Sequence, residues 1–223
     1  LGIITQVTLK LRPMPEAHVS VTFSCPVSSL GETLDRLHAS ATRPAYVEAE
    51  GMGGDRCQIV VGFEDNAAAV AWQVDQIQRE FPQTAMDIAR ENAADDRVCA
   101  LTERMHSPAA WSWKASLPSS AVAGFVRNLA KGGFEWQAQA LSGIVWGRAV
   151  RDMSIDQARH ELEGFRRVAA AVGGSVVVWR CPIDWKTQLD PYGKERPDWR
   201  LMQAVKRQVD PHNLFNPGRF IFS

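Results

Sequence analysis

The same order of apolar periods occurs twice along this chain, offset by about 90 residues, and a repeat of that length restricts the fold more than composition does. In the first copy the alternation Val19, Val21, Phe23 reads as a strand, and Leu30, Leu34, Leu37 and Ala41 then share one helical face. Ser29 and Glu32 have the spacing of a capping box at the start of that helix. Strands over 45–50 and 57–63 follow, joined by Gly51-Met52-Gly53-Gly54-Asp55, a glycine-rich hairpin loop. A helix carrying Val70, Val74, Ile77 and Phe81 and a short strand near 85–88 close the copy. A connecting helix is built on Ala94, Val98, Leu101 and Met105, and the order then returns. The second copy has a strand over 111–117, a helix from Ser119 with Val122, Phe125 and Leu129, and strands over 134–140 and 144–149. A helix from Ser154 with Ala158, Leu162, Phe165, Ala169 and Val172 stops at Gly173-Gly174, before a strand over 176–181. Each copy is β-α-β-β-α-β, the split ferredoxin-like unit. The expected class is therefore α+β: two tandem units forming antiparallel sheet covered by helices, plus a C-terminal helix and tail.

Charge narrows the range of partners. Lys+Arg 25 balance Asp+Glu 25, so nothing draws the chain to nucleic acid or an anionic membrane, and no apolar run reaches the ~18 residues of a membrane span. Cys25, Cys57, Cys99 and Cys181 are widely spaced with no Cys-x-x-Cys pair, which argues against zinc or an iron–sulfur cluster in this chain. Cys57 and Cys181 fall in apolar strand patterns and read as reduced, buried thiols of a cytoplasmic protein, with a disulfide left open. Trp111 and Trp113 alternate on one strand, with Trp136 and Trp146 on two others. They read as core, with a ligand contact as the alternative for one of them. His18, His38, His106, His160 and His212 are scattered, so no metal site is expected and no catalytic residue can be named. Arg148, Arg151 and Arg180 fall near strand ends, where each could receive a carboxylate or simply be solvated or paired.

The two ends carry the densest signals. Leu1-Gly2-Ile3-Ile4-Thr5 leads into an alternating strand, Val7, Leu9, Leu11, closed by Arg12-Pro13. An apolar strand at residue 1 implies sheet neighbours encoded upstream. At the other end Leu201, Val205 and Val209 make one apolar helical face, Pro211 stops the helix, and Asn216-Pro217-Gly218-Arg219 fixes a tight bend. Between the second copy and this helix, residues 183–197 mix charge with Trp185, Pro191, Tyr192 and Gly193 and read as a long loop, a lid, partner surface or connector.

Together these ends resemble the FAD-linked oxidases of the vanillyl-alcohol oxidase type. In that family a flavin domain closes with a strand like Leu1 to Pro13, and the cap domain ends in a motif like Lys206-x-x-Val209-Asp210-Pro211-x-x-Leu214-Phe215-Asn216-Pro217-Gly218-Arg219. Within the family the likeness is greatest to the FAD-binding subunit of bacterial glycolate oxidases, through Trp113-Lys114-Ala115-Ser116-Leu117-Pro118-Ser119 and the tail from Gln203. The resemblance implies three parts: 1–15 as the last strand of a flavin domain encoded upstream, 16–182 as a duplicated cap or substrate domain, and 183–223 as loop, helix and tail returning toward the flavin domain. It implies FAD as cofactor, held mainly by that upstream domain, with Gly2, Ile3, Ile4, Asn216, Pro217, Gly218 and Arg219 lying toward it. It also implies glycolate or another 2-hydroxy acid as substrate of a hetero-oligomer with a paralogous flavin subunit and an iron–sulfur subunit. Any membrane association would run through those partners, and this piece alone would be inactive. The His-x-x-Gly-Asp-Gly-x-x-His metal motif of related catalytic caps is absent, which puts direct turnover by this subunit in doubt. Two rivals remain from the sequence: a non-catalytic tandem module binding a ligand or partner, and an FAD-linked oxidase of lactate, an aldonolactone or an aromatic alcohol.

Overall fold

The computed structural model describes residues 4–11, 13–106 and 109–217, with backbone alone for Met52, Met105 and His106. The chain divides into two compact units, one of residues 15–191 and one of residues 1–14 with 192–223.

The larger unit is one eight-stranded antiparallel sheet in the order β4-β1-β3-β2-β6-β7-β5-β8. Its first half runs β1 (Ala17–Pro26), α1 (Leu30–Ala39), β2 (Tyr46–Met52), β3 (Arg56–Asp65), α2 (Ala67–Glu80) and β4 (Asp87–Arg90). After α3 (Asn92–His106) the second half runs β5 (Ser112–Ser116), α4 (Val122–Gly132), β6 (Phe134–Gln139), β7 (Ile144–Ala149), α5 (Ile155–Ala171) and β8 (Ser175–Arg180). Each half has the ferredoxin-like strand order, and the second is reversed so that β2 and β6, the same strand of each repeat, pair edge to edge.

One face of this sheet holds the core. Val19, Val21 and Phe23 of β1, Ile59, Val61 and Phe63 of β3, and Trp113, Trp136 and Val145 of the second half are buried there with Leu30, Val74, Ile77, Val126, Leu129, Leu162 and Phe165 from α1, α2, α4 and α5. Glycine and tryptophan alternate across it: Gly51 faces Trp136, Trp136 faces Gly147, and Gly147 faces Trp113. Each indole lies where the neighbouring strand's side chain would have been; a Cβ on Gly51 would stand 2.5 Å from the Trp136 ring, and one on Gly147 2.0 Å from Trp113. Trp113 also meets Phe125 edge-on and Phe165 at 4.9 Å.

Several local expectations change. Ser29 does not cap α1: a 3₁₀ turn over Val27–Ser29 runs straight into the helix, and the Ser29 hydroxyl donates back to the Pro26 carbonyl instead. The capping box that does form is Ser154 with Gln157 at the start of α5, and Asn66 caps α2. Cys181 falls just past β8 and is only part-buried. Trp146 belongs to the sheet's other face rather than the core.

In the smaller unit, α6 (Trp199–Val209) forms as its period requires. Its buried residues are Trp199 and Lys206, while Leu201, Val205 and Val209 stay 71%, 42% and 51% exposed. Residues 4–11 pair with no described strand, and Val7, Leu9 and Leu11 are exposed; the sheet neighbours their alternation calls for are expected upstream of Leu1 rather than among these residues. No described helix is long and apolar enough to cross a membrane.

Candidate functional site

The sheet's second face is polar, and α3 lies against part of it through charged and hydroxyl groups. Because side chains alternate along a strand, the residues between the core positions of β1 point here. Arg97 of α3 donates to the hydroxyls of Ser20 (3.1 Å) and Thr22 (2.7 Å) and pairs with Asp87. His18 Nδ1 lies 2.6 Å from the Asp95 carboxylate of α3, and its Nε2 lies 3.0 Å from the Tyr46 hydroxyl. Burial beside Glu64 pushes the Tyr46 phenol up to about 12, so it remains a donor.

At the junction of the two halves the same face gathers carboxylates. β2 contributes Glu48 and Glu50, and β6 contributes Glu135 and Gln137; Glu50 stands opposite Gln137, with Glu48 diagonal to it. Arg104 of α3 pairs with Glu50 at 2.9 Å, and Arg148 of β7 pairs with Glu135 while donating to the Arg104 carbonyl (3.5 Å). Two guanidiniums thus serve three carboxylates. Glu48 accepts only from Gln137 Nε2, at 3.4 Å, and among the described residues no cation lies within ion-pair distance of it. Burial first, then the charge of Glu50, push the Glu48 carboxyl up to about 7 against the opposing Gln137 bond, and burial raises Glu50 too despite Arg104. Gln137 is 5% exposed, and its buried Oε1 has no donor among the described residues. A carboxylate that titrates near neutrality beside a buried acceptor lacking a donor suits a hydroxyl: Gln137 can receive its hydrogen bond and Glu48 its proton.

Beyond Gln137 the same rung continues through Trp146 to Lys114 on β5. Lys114 Nζ lies 5.2 Å from the Trp146 ring centroid, and Trp179, the extra residue of a bulge in β8, meets Trp146 edge-on at 4.8 Å. Lys114 and Arg180 have no carboxylate within ion-pair distance among the described residues.

The residues singled out from sequence fare differently. Arg148 is committed to Glu135, whereas Arg151 and Arg180 are exposed. Ile4 is 82% exposed, Asn216 takes a left-handed backbone (φ 51°) and Pro217 is exposed; Gly2, Ile3, Gly218 and Arg219 lie outside the described residues. The motif around Asn216 has a definite anchor. Asp210, 4% exposed, takes the ammonium of Lys206 and accepts the amides of Leu214 (2.8 Å) and Phe215 (2.9 Å), while Lys206 also donates to the Phe215 carbonyl (2.8 Å). These bonds outweigh desolvation and hold the Asp210 carboxyl down to about 2. Glu48, Glu50 and Gln137 were missed by sequence reasoning because a carboxylate on an alternating strand looks like an ordinary solvent-facing residue; only the β2–β6 pairing buries them.

No phosphate cradle is formed by the described glycine pairs. Gly53 (φ 80°) turns β2 into β3, Gly133 (φ 72°) ends α4 and Gly173 (φ 75°) ends α5, so these residues do not fit the pyrophosphate of a dinucleotide. No group of three or more metal-binding side chains occurs among the described residues.

Comparison with known proteins adds a family match at the C-terminal end and a likeness of fold. Residues 186–220 match the family model described as FAD linked oxidases, C-terminal domain. None of the curated proteins matches the chain. In fold the chain is similar to the carbohydrate oxidase of Microdochium nivale, with a TM-score of 0.55 at 9% identity, over 90% of this chain and 54% of that one. It is also similar to the xylooligosaccharide oxidase of Myceliophthora thermophila C1 (0.53, 12%, 89% and 54%) and the BBE-like 1 protein of Physcomitrella patens (0.55, 11%, 92% and 54%). At these identities the likeness is one of fold, and the chain spans about half the length of those structures.

Proposed function

We propose that this chain is the C-terminal, cap-forming part of an FAD-dependent oxidoreductase subunit that acts on a small 2-hydroxy acid of the glycolate class within a hetero-oligomer. The observation that carries the reading is the match over residues 186–220, which includes the Lys206–Asp210 anchor and the Asn216-Pro217 turn it holds. FAD, when bound, supplies the acceptor for the hydride that leaves a carbinol carbon. The pyrophosphate of that cofactor is held outside the described residues of this chain; Ile4, Asn216 and Pro217 are its candidate neighbours here, with Gly2, Ile3, Gly218 and Arg219 from the motif.

What this chain contributes is the polar face. A carbinol that becomes a carbonyl must also release its hydroxyl proton, and Glu48 can accept it while Gln137 Oε1 orients the O–H. Lys114 and Arg180 are the cations on this face open to a carboxylate. The partners in this reading are a paralogous flavin subunit and an iron–sulfur subunit that takes the electrons onward.

A second substrate class is favoured by the β2–β6 junction itself: its two guanidiniums are committed to Glu50 and Glu135, so Glu48 and Gln137 offer a neutral polyol hydrogen-bond partners without a free cation beside them among the described residues. One experiment tests both. The native assembly, purified through a tag on this chain, is expected to show flavin absorbance and to reduce an artificial dye with glycolate; reduction with a sugar alone transfers the reading to the polyol class. An assembly without flavin would refute it.

A further inference from the structure

Away from the polar face, two thiols oppose each other across the ladder of β1 and β3. Cys25 and Cys57 are partners in the register, both are free and buried, and their sulfurs lie 3.5 Å apart. Two residues further along the same register, Val27 N donates to Asp55 O at 2.8 Å. The Cys25–Cys57 rung is therefore of the hydrogen-bonded kind, in which Cα atoms lie about 5.5 Å apart. Disulfides span roughly 4.4–6.8 Å between Cα atoms, a range that includes this rung, and the sulfurs bond once the side chains rotate and the strands draw slightly together.

We infer that Cys25 and Cys57 form a reversible disulfide when the protein meets a hydroperoxide, a modification site independent of the functional reading above. The position supplies access that burial alone would deny. The pair sits one rung from the end of the ladder, where the last pair is Pro26 with Arg56 and, beyond it, the Val27–Asp55 bond closes the strands. The turn over 53–55 follows at once, so this end frays more readily than the rest of β1. The surroundings also favour a thiolate at Cys25. The Cys57 thiol lies within hydrogen-bond reach of it, and Thr33, Arg56 and Ser29 add to that against the opposing effect of burial, so its pKa falls while that of Cys57 rises.

The chemistry balances without a further reagent. The Cys25 thiolate attacks one peroxide oxygen, the O–O bond breaks, and the sulfur becomes a sulfenic acid as hydroxide leaves and takes a proton to become water. Cys57 sulfur then attacks Cys25 sulfur, the S–O bond breaks, and the departing hydroxide takes the Cys57 proton as the second water. Two thiols have lost two electrons and two protons, and one peroxide has become two waters. The new bond would tie β1 to the start of β3, beside the turn that follows Glu50 on β2.

The test uses the whole chain carrying Cys99→Ser and Cys181→Ser, which removes the exposed and part-buried thiols. After hydrogen peroxide treatment under native conditions, the intact mass is expected to fall by about 2 Da, the signature of one disulfide, and to return with dithiothreitol. Alkylation after denaturation should then find no free thiol at either position, and a peptide map should link 25 to 57. Cys25→Ser in the same background should lose the change. Three results overturn the inference: both thiols still alkylate at a peroxide dose that oxidises Cys99 in the unsubstituted chain, the mass instead rises by oxygen additions at one cysteine, or the loss appears only in urea.

Discussion

Replacing Gly147 by alanine is the sharpest test of the packing described above, because a single methyl group must enter a place already filled by an indole. The added Cβ would lie 2.0, 2.4 and 2.5 Å from Trp113 Cζ2, Cη2 and Cε2. Ordinary carbon contacts fall at about 3.5–4.0 Å, so the ring must retreat by roughly 1.5 Å. It has nowhere to go: Trp113 is fully buried, with Phe125 and Phe165 packed against it. Overpacking of a filled core costs about 1–3 kcal/mol, and expelling a tryptophan altogether costs about 3–5, so the expected loss is about 3 kcal/mol. Gly164 supplies the control. It lies inside α5 with open space around its Cβ position, where alanine should stabilise by about 0.5–1 kcal/mol through helix propensity. Urea unfolding followed by tryptophan fluorescence measures both. Gly147→Ala should lower the thermal midpoint by about 6–12 °C at the usual 2–4 °C per kcal/mol, and Gly164→Ala should raise it slightly. If the Gly147 variant unfolds within about 1 kcal/mol of the parent with an unchanged slope, the glycine–tryptophan interlock is not what fixes this core.

Other outcomes follow from the charged groups. Burial pushes Glu48 up from the usual 4.5 to about 7 in the fold, so its share of stability is full below about pH 4.5, declines as the pH rises to about 7 and is flat above; Glu48→Gln should be more stable than the parent by about 1–2 kcal/mol at pH 8 and equal to it at pH 4, as read by urea unfolding at each pH. Arg148→Ala leaves Glu135 part-buried without its cation and should cost about 2 kcal/mol, with Glu135→Gln restoring a good part of it; a double-mutant cycle reads the coupling. Asp210→Asn should release the Leu214 and Phe215 amides to hydrogen exchange. Because the carboxyl is held down to about 2, its stabilising share is present above the usual carboxylate range and fades only as the pH falls through about 2, so the parent's protection factors at pH 4 should match those at pH 7.

Much of the fold could be read from period alone, since Val19-Val21-Phe23, the stripe from Ala158 to Val172 and the Gly173 stop encode local structure through burial, and the structure places an element at each. The site could not be read in the same way. Glu48, Glu50 and Glu135 acquire their character only when β2 and β6, almost ninety residues apart in sequence by the repeat offset, become neighbours in the sheet. Arg148 looked available for a ligand because its partner Glu135 lies on another strand, and Ser29 looked like a cap because spacing does not reveal a 3₁₀ turn. The segment at Val7 to Leu11 has strand-like alternation, which specifies the face a strand buries but not its neighbours, expected here upstream of Leu1.

The reversed order of the second repeat has an evolutionary reading. A lone ferredoxin-like unit ends in an open border at its second strand, an invitation to self-association. Here the copies of that strand clasp each other, so one pairing both closes the vulnerable margin and lays acidic residues from each half side by side along the join. Chemistry on this face would then be younger than the halves that built it, arising at a boundary neither possessed alone.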